Sequence, residues 1–309
     1  MARRASDPAL TTALRYALDS VGIEQPIRSM QRRENVYTSS HLSDVLDCEL
    51  EDGSTLGLVC KHGPSADRNH LGLARGLGYE ANVYRSVLKG QSASPRFYGS
   101  YDEPLAGRTW LFLEYLGDGW QLDLGPEDAI VHAAAMIGEL HRAVAEPPRS
   151  LIALNRYDRR YFGTCLREAR AVADVWRERV PAFDRIVGRF ADGLELLLSA
   201  PQTFVHGELT PHNVVWTGDR TYAVDWEEAA LAAGEIDVAC LTDEWPQDLV
   251  ELATTAYQSS RWPQGPPHDF VRTVQAARLY WLFRWLTDPD ETGNEEELEW
   301  VTEQLSRLA

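Results

Sequence analysis

Glu208, Asn213 and Asp225 are three oxygen-bearing side chains set at the ends of short apolar runs. Phe204-Val205 leads into the polar segment His206-Gly207-Glu208-Leu209-Thr210-Pro211-His212-Asn213. Val214-Val215-Trp216 leaves it, turns at Gly218-Asp219, and returns through Tyr222, Ala223 and Val224 to Asp225. Two short strands joined by a tight turn gather an acid, an amide and a second acid at one end of a hairpin. That set suits phosphoryl transfer. One carboxylate orients the attacking hydroxyl, and the amide and the other carboxylate hold magnesium on nucleotide phosphates.

The rest of the chain must position that hairpin. Leu10, Leu14, Ala17, Leu18 and Val21 fall at helical spacing over residues 8–21. From about 34 to 61 the apolar residues lie in short runs broken at Ser39-Ser40 and at Glu51-Asp52-Gly53, which predicts strands and a hairpin turn. Glu80–Leu88 reads as a helix, and Phe97–Gly99 and Thr109–Leu116 read as strands. Beyond Gly117-Asp118-Gly119 the pattern turns helical. Gly125-Pro126-Glu127-Asp128 opens a helix with proline in the first turn and acids at the positive end of the dipole. His141 lies on the apolar face of that helix and reads as a hydrogen-bonded core histidine. Further helices are predicted around 183–197, 270–281 and 292–308. The fold class is α+β, with a strand-rich part at 1–116 and a larger, mainly helical part at 117–309.

Composition narrows the function classes. At 309 residues and 44% hydrophobic, the chain can bury a sizeable core. Its net charge of −17 argues against nucleic acid as a partner, because phosphate contacts need clustered Lys and Arg. The acidic balance favours solubility and can also attract a cationic small molecule. No stretch reaches the length of a membrane helix, and no apolar secretion core follows Arg3-Arg4, so the expectation is a cytoplasmic protein. Cys48, Cys60, Cys165 and Cys240 have no metal-ligand spacing and read as free buried thiols.

His-Gly-Glu-x4-Asn followed by Val-Asp-Trp-Glu resembles the motif of the aminoglycoside phosphotransferase and choline kinase group, small-molecule relatives of the protein kinases. The resemblance spans roughly residues 30–290 and implies a two-lobed kinase-like fold, with a small strand-rich N-lobe and a larger helical C-lobe. It implies that ATP or GTP with Mg2+ binds between the lobes and that the γ-phosphate passes to a hydroxyl of a small acceptor. Lys61, ending Leu58-Val59-Cys60, resembles the strand lysine that contacts nucleotide phosphates. Glu80 resembles the acid that pairs with it. Glu114-Tyr115-Leu116 resembles the hinge that reads the adenine edge through backbone groups. Asn213 and Asp225 resemble the metal ligands. Glu227 either binds a second ion, directly or through water, or is simply exposed. His206 resembles a residue that braces the loop. Asp237 resembles the acid that accepts hydrogen bonds from the loop backbone, a role compatible with capping a helix.

Two departures stand out. Glu208 occupies a position that usually holds aspartate, so it is either the working base or a mark of weak activity; the retained Lys61, Asn213 and Asp225 favour the first. The segment Ser39-Ser40-His41-Leu42-Ser43 lacks the glycine-rich pattern of protein kinases. Asp118, Asp123, Asp243 and Glu244, with Trp120 and Trp245, are candidates for a cationic acceptor such as an amino sugar, aminoglycoside or amino alcohol. The competing reading is a nucleotide-binding pseudokinase with a regulatory or scaffolding role. A metal-dependent hydrolase is disfavoured, because the histidines show no paired ligand spacing such as His-Glu-x-x-His.

Overall fold

The computed structural model describes residues 7–35, 41–117, 119–145, 154–243, 245–287, 299 and 302–306. The first part is a five-stranded antiparallel sheet in the order β1-β2-β3-β5-β4, with β1 Ile27–Glu34, β2 Leu42–Leu50, β3 Thr55–Pro64, β4 Phe97–Glu103 and β5 Arg108–Glu114. Alternation along the strands sorts its two faces. Leu46, Cys48, Leu58, Cys60, Trp110 and Phe112 pack against Leu10, Ala13, Leu14, Ala17 and Leu18 of helix α1, Pro8–Ser20. The alternate set, Lys61, Leu111 and Leu113, therefore faces away from α1, toward helix α2, Leu77–Val83, and the cleft below. The predicted helix at Glu80–Leu88 begins three residues earlier, at Leu77, and continues as a π-helical turn over Tyr84–Leu88. Strand β1 begins seven residues before the predicted start of the strand region, because it is a half-exposed edge strand whose Arg28, Gln31, Arg32 and Arg33 hide any alternation.

The second part is mainly helical: α3 Ala129–Ala143, α4 Arg159–Ala171, α5 Ala173–Arg179, α6 Phe183–Ser199, α7 Glu235–Leu241, α8 Gln247–Arg261 and α9 Phe270–Thr287. Two small strand groups lie among these helices. β6 (Gln202–Val205) pairs antiparallel with β9 (Ala230–Ala233), whose other edge carries Asn155–Arg156. The hairpin of β7 (Val214–Trp216) and β8 (Thr221–Ala223) pairs through β7 with Trp120–Gln121. Helix α9 is buried along most of its length, from Leu279 through Phe283 to Leu286, as expected of a helix apolar on nearly every side. The predicted helix near 292–308 lies largely outside the described residues; the described part, 302–306, is helical and buries Leu305. All four cysteines are buried free thiols. Cys48 pairs in register with Leu56 and Cys60 with Asp44, so the two are not opposite each other.

Candidate active site

The loop between β6 and β7 is held from behind by one carboxylate. Asp237, fully buried in the first turn of α7, accepts from the His206 N–H at 2.7 Å and the Gly207 N–H at 2.9 Å. It also receives His141 Nε2 at 3.1 Å, and the Tyr257 hydroxyl lies 2.9 Å from His141 Nδ1. His141 is thus the hydrogen-bonded core histidine expected, and burial lowers its proton affinity. Asp237 does not cap its helix, since the N-cap is Gly234. Gly207 has φ +86°, and a Cβ there would meet the Glu228 carbonyl oxygen at 2.5 Å and the Tyr157 hydroxyl at 2.7 Å, so a side chain is excluded on two counts.

The same loop is tied to the segment that follows β8 and carries Asp225. His206 Nε2 lies 2.8 Å from the Val224 carbonyl, and its Nδ1 accepts from the Glu208 N–H at 3.3 Å. Burial keeps the ring neutral, which suits one donating and one accepting nitrogen. Asn213 Nδ2 donates to the Glu208 carbonyl at 2.9 Å, and the Val224 N–H donates to the Asn213 carbonyl at 2.9 Å. Asn213 and Asp225 line the same cleft as Lys61. Asp225 holds φ +66°, the sole non-glycine residue with positive φ among those described.

Across the cleft, Lys61 Nζ lies 3.0 and 3.2 Å from the two Glu80 oxygens and 3.1 Å from Asp225 Oδ1. Burial works against its charge, but Asp225 and Glu80 outweigh it and hold the ammonium above its ordinary range. Glu80 Oε1 also accepts from the Trp226 N–H at 3.3 Å. The cleft, about 730 Å³ with the solvent at its open side, runs from Val59 and Lys61 past Leu113, Glu114, Tyr115 and Leu116 to Val215, Val224 and Asp225. At the expected hinge, the Tyr115 N–H is committed to the Gly57 carbonyl at 3.0 Å, and Glu114 and Leu116 line the cleft on either side of it.

Glu208, half-buried in the loop that carries Asn213, is not among the residues lining the cleft, and its Oε2 lies 3.9 Å from Arg284 Nη2. Burial pushes its carboxyl up to about 7, with Arg284 opposing the rise. A carboxylate so tuned can take a proton near neutral pH. The oxygen donors Asn213 and Asp225 match what Mg2+ asks of a protein, one or two hard ligands with phosphates and waters completing the shell. The described residues hold no cluster of three or more His, Cys, Asp or Glu suited to a metal.

Glu227 is neither exposed nor free to serve a cation unopposed. It is buried, with Oε1 3.0 Å from Arg75 Nη2 and Oε2 3.1 Å from His41 Nε2. Ser39 and Ser40 lie outside the described residues. The acids expected to receive a cationic acceptor are already answered by other groups: Asp123 sits 3.2 Å from His212 Nδ1, and Asp243 accepts from Trp281 Nε1 at 3.0 Å. Asp118 and Glu244 lie outside the described residues. Trp245 is half-buried against the core, and exposed Trp120 lines a separate hollow with Leu124 and Trp216. Sequence reasoning missed Arg284, Glu228, Arg75 and Asn69. The signal for Arg284 was present: a lone cation within an apolar helical run must find a buried partner.

With this geometry in place, comparison with known proteins decides the family. Residues 50–268, well over half of the chain, match the model of the Phosphotransferase enzyme family. The chain belongs to this family. The phosphotransferase also resembles solved structures along nearly its full length. A GDP complex of aminoglycoside 2'-phosphotransferase-IIIa is 14% identical, with 98% of each chain covered and a TM-score of 0.64. Choline kinase LicA from Streptococcus pneumoniae is 14% identical, with 95% of this chain and 98% of that one covered and a TM-score of 0.57. Macrolide 2'-phosphotransferase type I is 16% identical, with 98% and 99% covered and a TM-score of 0.55. These likenesses establish the two-lobed kinase-like α+β fold. No curated protein matches by sequence. Among the described residues no helix is long and apolar enough to cross a membrane.

Proposed function

We propose that this phosphotransferase binds ATP or GTP with Mg2+ between residues 1–116 and 117–309 and transfers the γ-phosphoryl group to an alcohol of a small acceptor. One observation carries the reading: Lys61 joins Glu80 and Asp225 at 3.0 and 3.1 Å in the cleft that Asn213 also lines. A buried ammonium between two acids, beside an amide, is a receptor for a polyanion and its counter-cation. Asn213 and Asp225 would hold the magnesium, which neutralises charge on the phosphate oxygens. Lys61 contacts the phosphates, Glu80 keeps Lys61 extended, and Glu114 and Leu116 meet the base through backbone groups. His206 and Asp237 keep the loop in shape. The acceptor oxygen bonds to the γ-phosphorus, the bond to the bridging oxygen breaks, and the hydroxyl proton passes to Glu208. Most of the rate gain comes from positioning and charge neutralisation.

The acceptor class rests on charge. A chain of net charge −17 draws cations, so amino sugars, aminoglycosides and amino alcohols head the assay panel, with macrolides and neutral sugars as contrasts. The test is phosphate transfer from labelled ATP and GTP to that panel with and without Mg2+. Asp225→Asn is expected to abolish transfer, and full retention would remove Asp225 from the metal site. If the chain binds nucleotide but is indifferent to Mg2+ and moves no phosphate, it acts instead as a pseudokinase.

A further inference from the structure

Arg284 of α9 lies directly behind the catalytic loop, and the proposed reaction leaves it without a task. The residue is 9% exposed. Nη1 donates to the Gly207 carbonyl at 2.6 Å. Nη2 lies 3.5 Å from Glu228 Oε2 and 3.9 Å from Glu208 Oε2. Its neighbours on the helix, Tyr280, Trp281, Leu282, Phe283 and Leu286, are buried. An apolar side chain of similar size would fill that space at lower cost than a desolvated guanidinium. Glu228 does not account for the charge by itself, since its Oε2 already accepts from Asn69 Nδ2 at 2.9 Å and its Oε1 lies 3.9 Å from Arg75.

Glu208 has one more rotatable bond than an aspartate would have, so its carboxylate samples more positions unless something holds it. At 3.9 Å the guanidinium attracts the carboxylate without a short hydrogen bond, which leaves both oxygens able to accept. The bond to the Gly207 carbonyl pins the backbone one residue upstream. We propose that Arg284 is the positioning residue for Glu208, aiming its carboxylate at the acceptor hydroxyl by clamping Gly207 and attracting the side chain. The inference rests on the role proposed above for Glu208.

A double-mutant cycle tests it. The reaction is hydrolysis of MgATP or MgGTP, read as phosphate release, with water standing in for the acceptor. Arg284→Met is expected to lower kcat about 100-fold, within the range for a positioned acid–base group, with the nucleotide KM unchanged. Arg284→Lys, which keeps the charge, is expected to recover about 10-fold of that loss. In a Glu208→Gln background, Arg284→Met should change kcat less than about 3-fold, because the group it positions is gone. An equal loss in both backgrounds would mean that Arg284 only supports the fold and would overturn the inference. A crystal structure of Arg284→Met gives an answer independent of turnover. A Glu208 carboxylate displaced or spread over several rotamers supports the inference, and one unmoved sinks it. If the unaltered protein moves no phosphate to water or to any acceptor, the proposed function fails, and the crystal structure still decides whether Arg284 holds Glu208.

Discussion

Replacing Glu208 by glutamine should make the protein more stable while removing its activity. The ordinary carboxyl value of 4.5 is pushed up to about 7 by burial. Fully buried, a rise from 4.5 to about 7 would come to about 3 kcal/mol against the ionised form. The side chain keeps 35% of its surface exposed, so solvent screens part of that cost, and about 1–2 kcal/mol is the expected net. The sign follows from linkage. Below pH 4.5 the acid is protonated folded and unfolded, and the fold bears no penalty. Between 4.5 and 7 the unfolded chain ionises more readily, so stability falls as pH rises, and the deficit is constant above that. Glu208→Gln should therefore match the unaltered protein at pH 4.5 and melt about 2–4 °C higher at pH 8, using about 2 °C per kcal/mol for a chain of this size. The assay is differential scanning fluorimetry in EDTA at both pH values, paired with phosphate transfer at pH 8. Transfer should drop by about 100-fold to 10,000-fold. A variant that melts lower at pH 8, or one that keeps full turnover, would refute the reasoning.

Asp237→Ala should cost at least about 3 kcal/mol in urea unfolding, because it strands the His206 and Gly207 N–H groups and His141 in a dry interior. Gly207→Ala should lower both stability and kcat, since the new Cβ meets the Glu228 carbonyl oxygen at 2.5 Å and φ is +86°; about 2 kcal/mol is expected by denaturant titration. Lys61→Met should raise the nucleotide KM and lower kcat, measured by steady-state kinetics, and should remove the charge that balances buried Glu80 and Asp225.

Much of the site was legible in the chain because its parts are local. The hairpin that carries Asn213 and Asp225 is short, its turn is marked by Gly218-Asp219, and its two apolar runs pair in register, Val214 with Ala223 and Trp216 with Thr221. Lys61 and Glu80 could be paired only through the resemblance, because both fall in the order of that family's residues, and the structure puts them 3.0 Å apart. The charge system behind the loop was not legible. Arg75, Asn69 and Arg284 reach Glu227 and Glu228 over separations of 152, 159 and 56 residues, and no local spacing encodes such contacts. Of the two readings of Glu227, exposure is overturned for the same reason, since a lone acid after a strand looks exposed until its arginine is found. Helices α4 and α8 were missed although Tyr161, Phe162, Cys165 and Ala169, and Val250, Ala253 and Tyr257, fall at helical spacing, because each stripe is narrow and set among many charged and polar residues.

Glu80 touches two partners from distant parts of the chain, the Lys61 ammonium and the Trp226 N–H. Its two oxygens work as a coincidence detector: both bonds form only when α2, β3 and the residue after Asp225 arrive together. A slip of α2 by one turn would break both at once, leaving a buried carboxylate with no answer. Glu80 therefore couples the placement of α2 and β3 to that of the chain just after Asp225, and a shift of any one of them is felt by the other two.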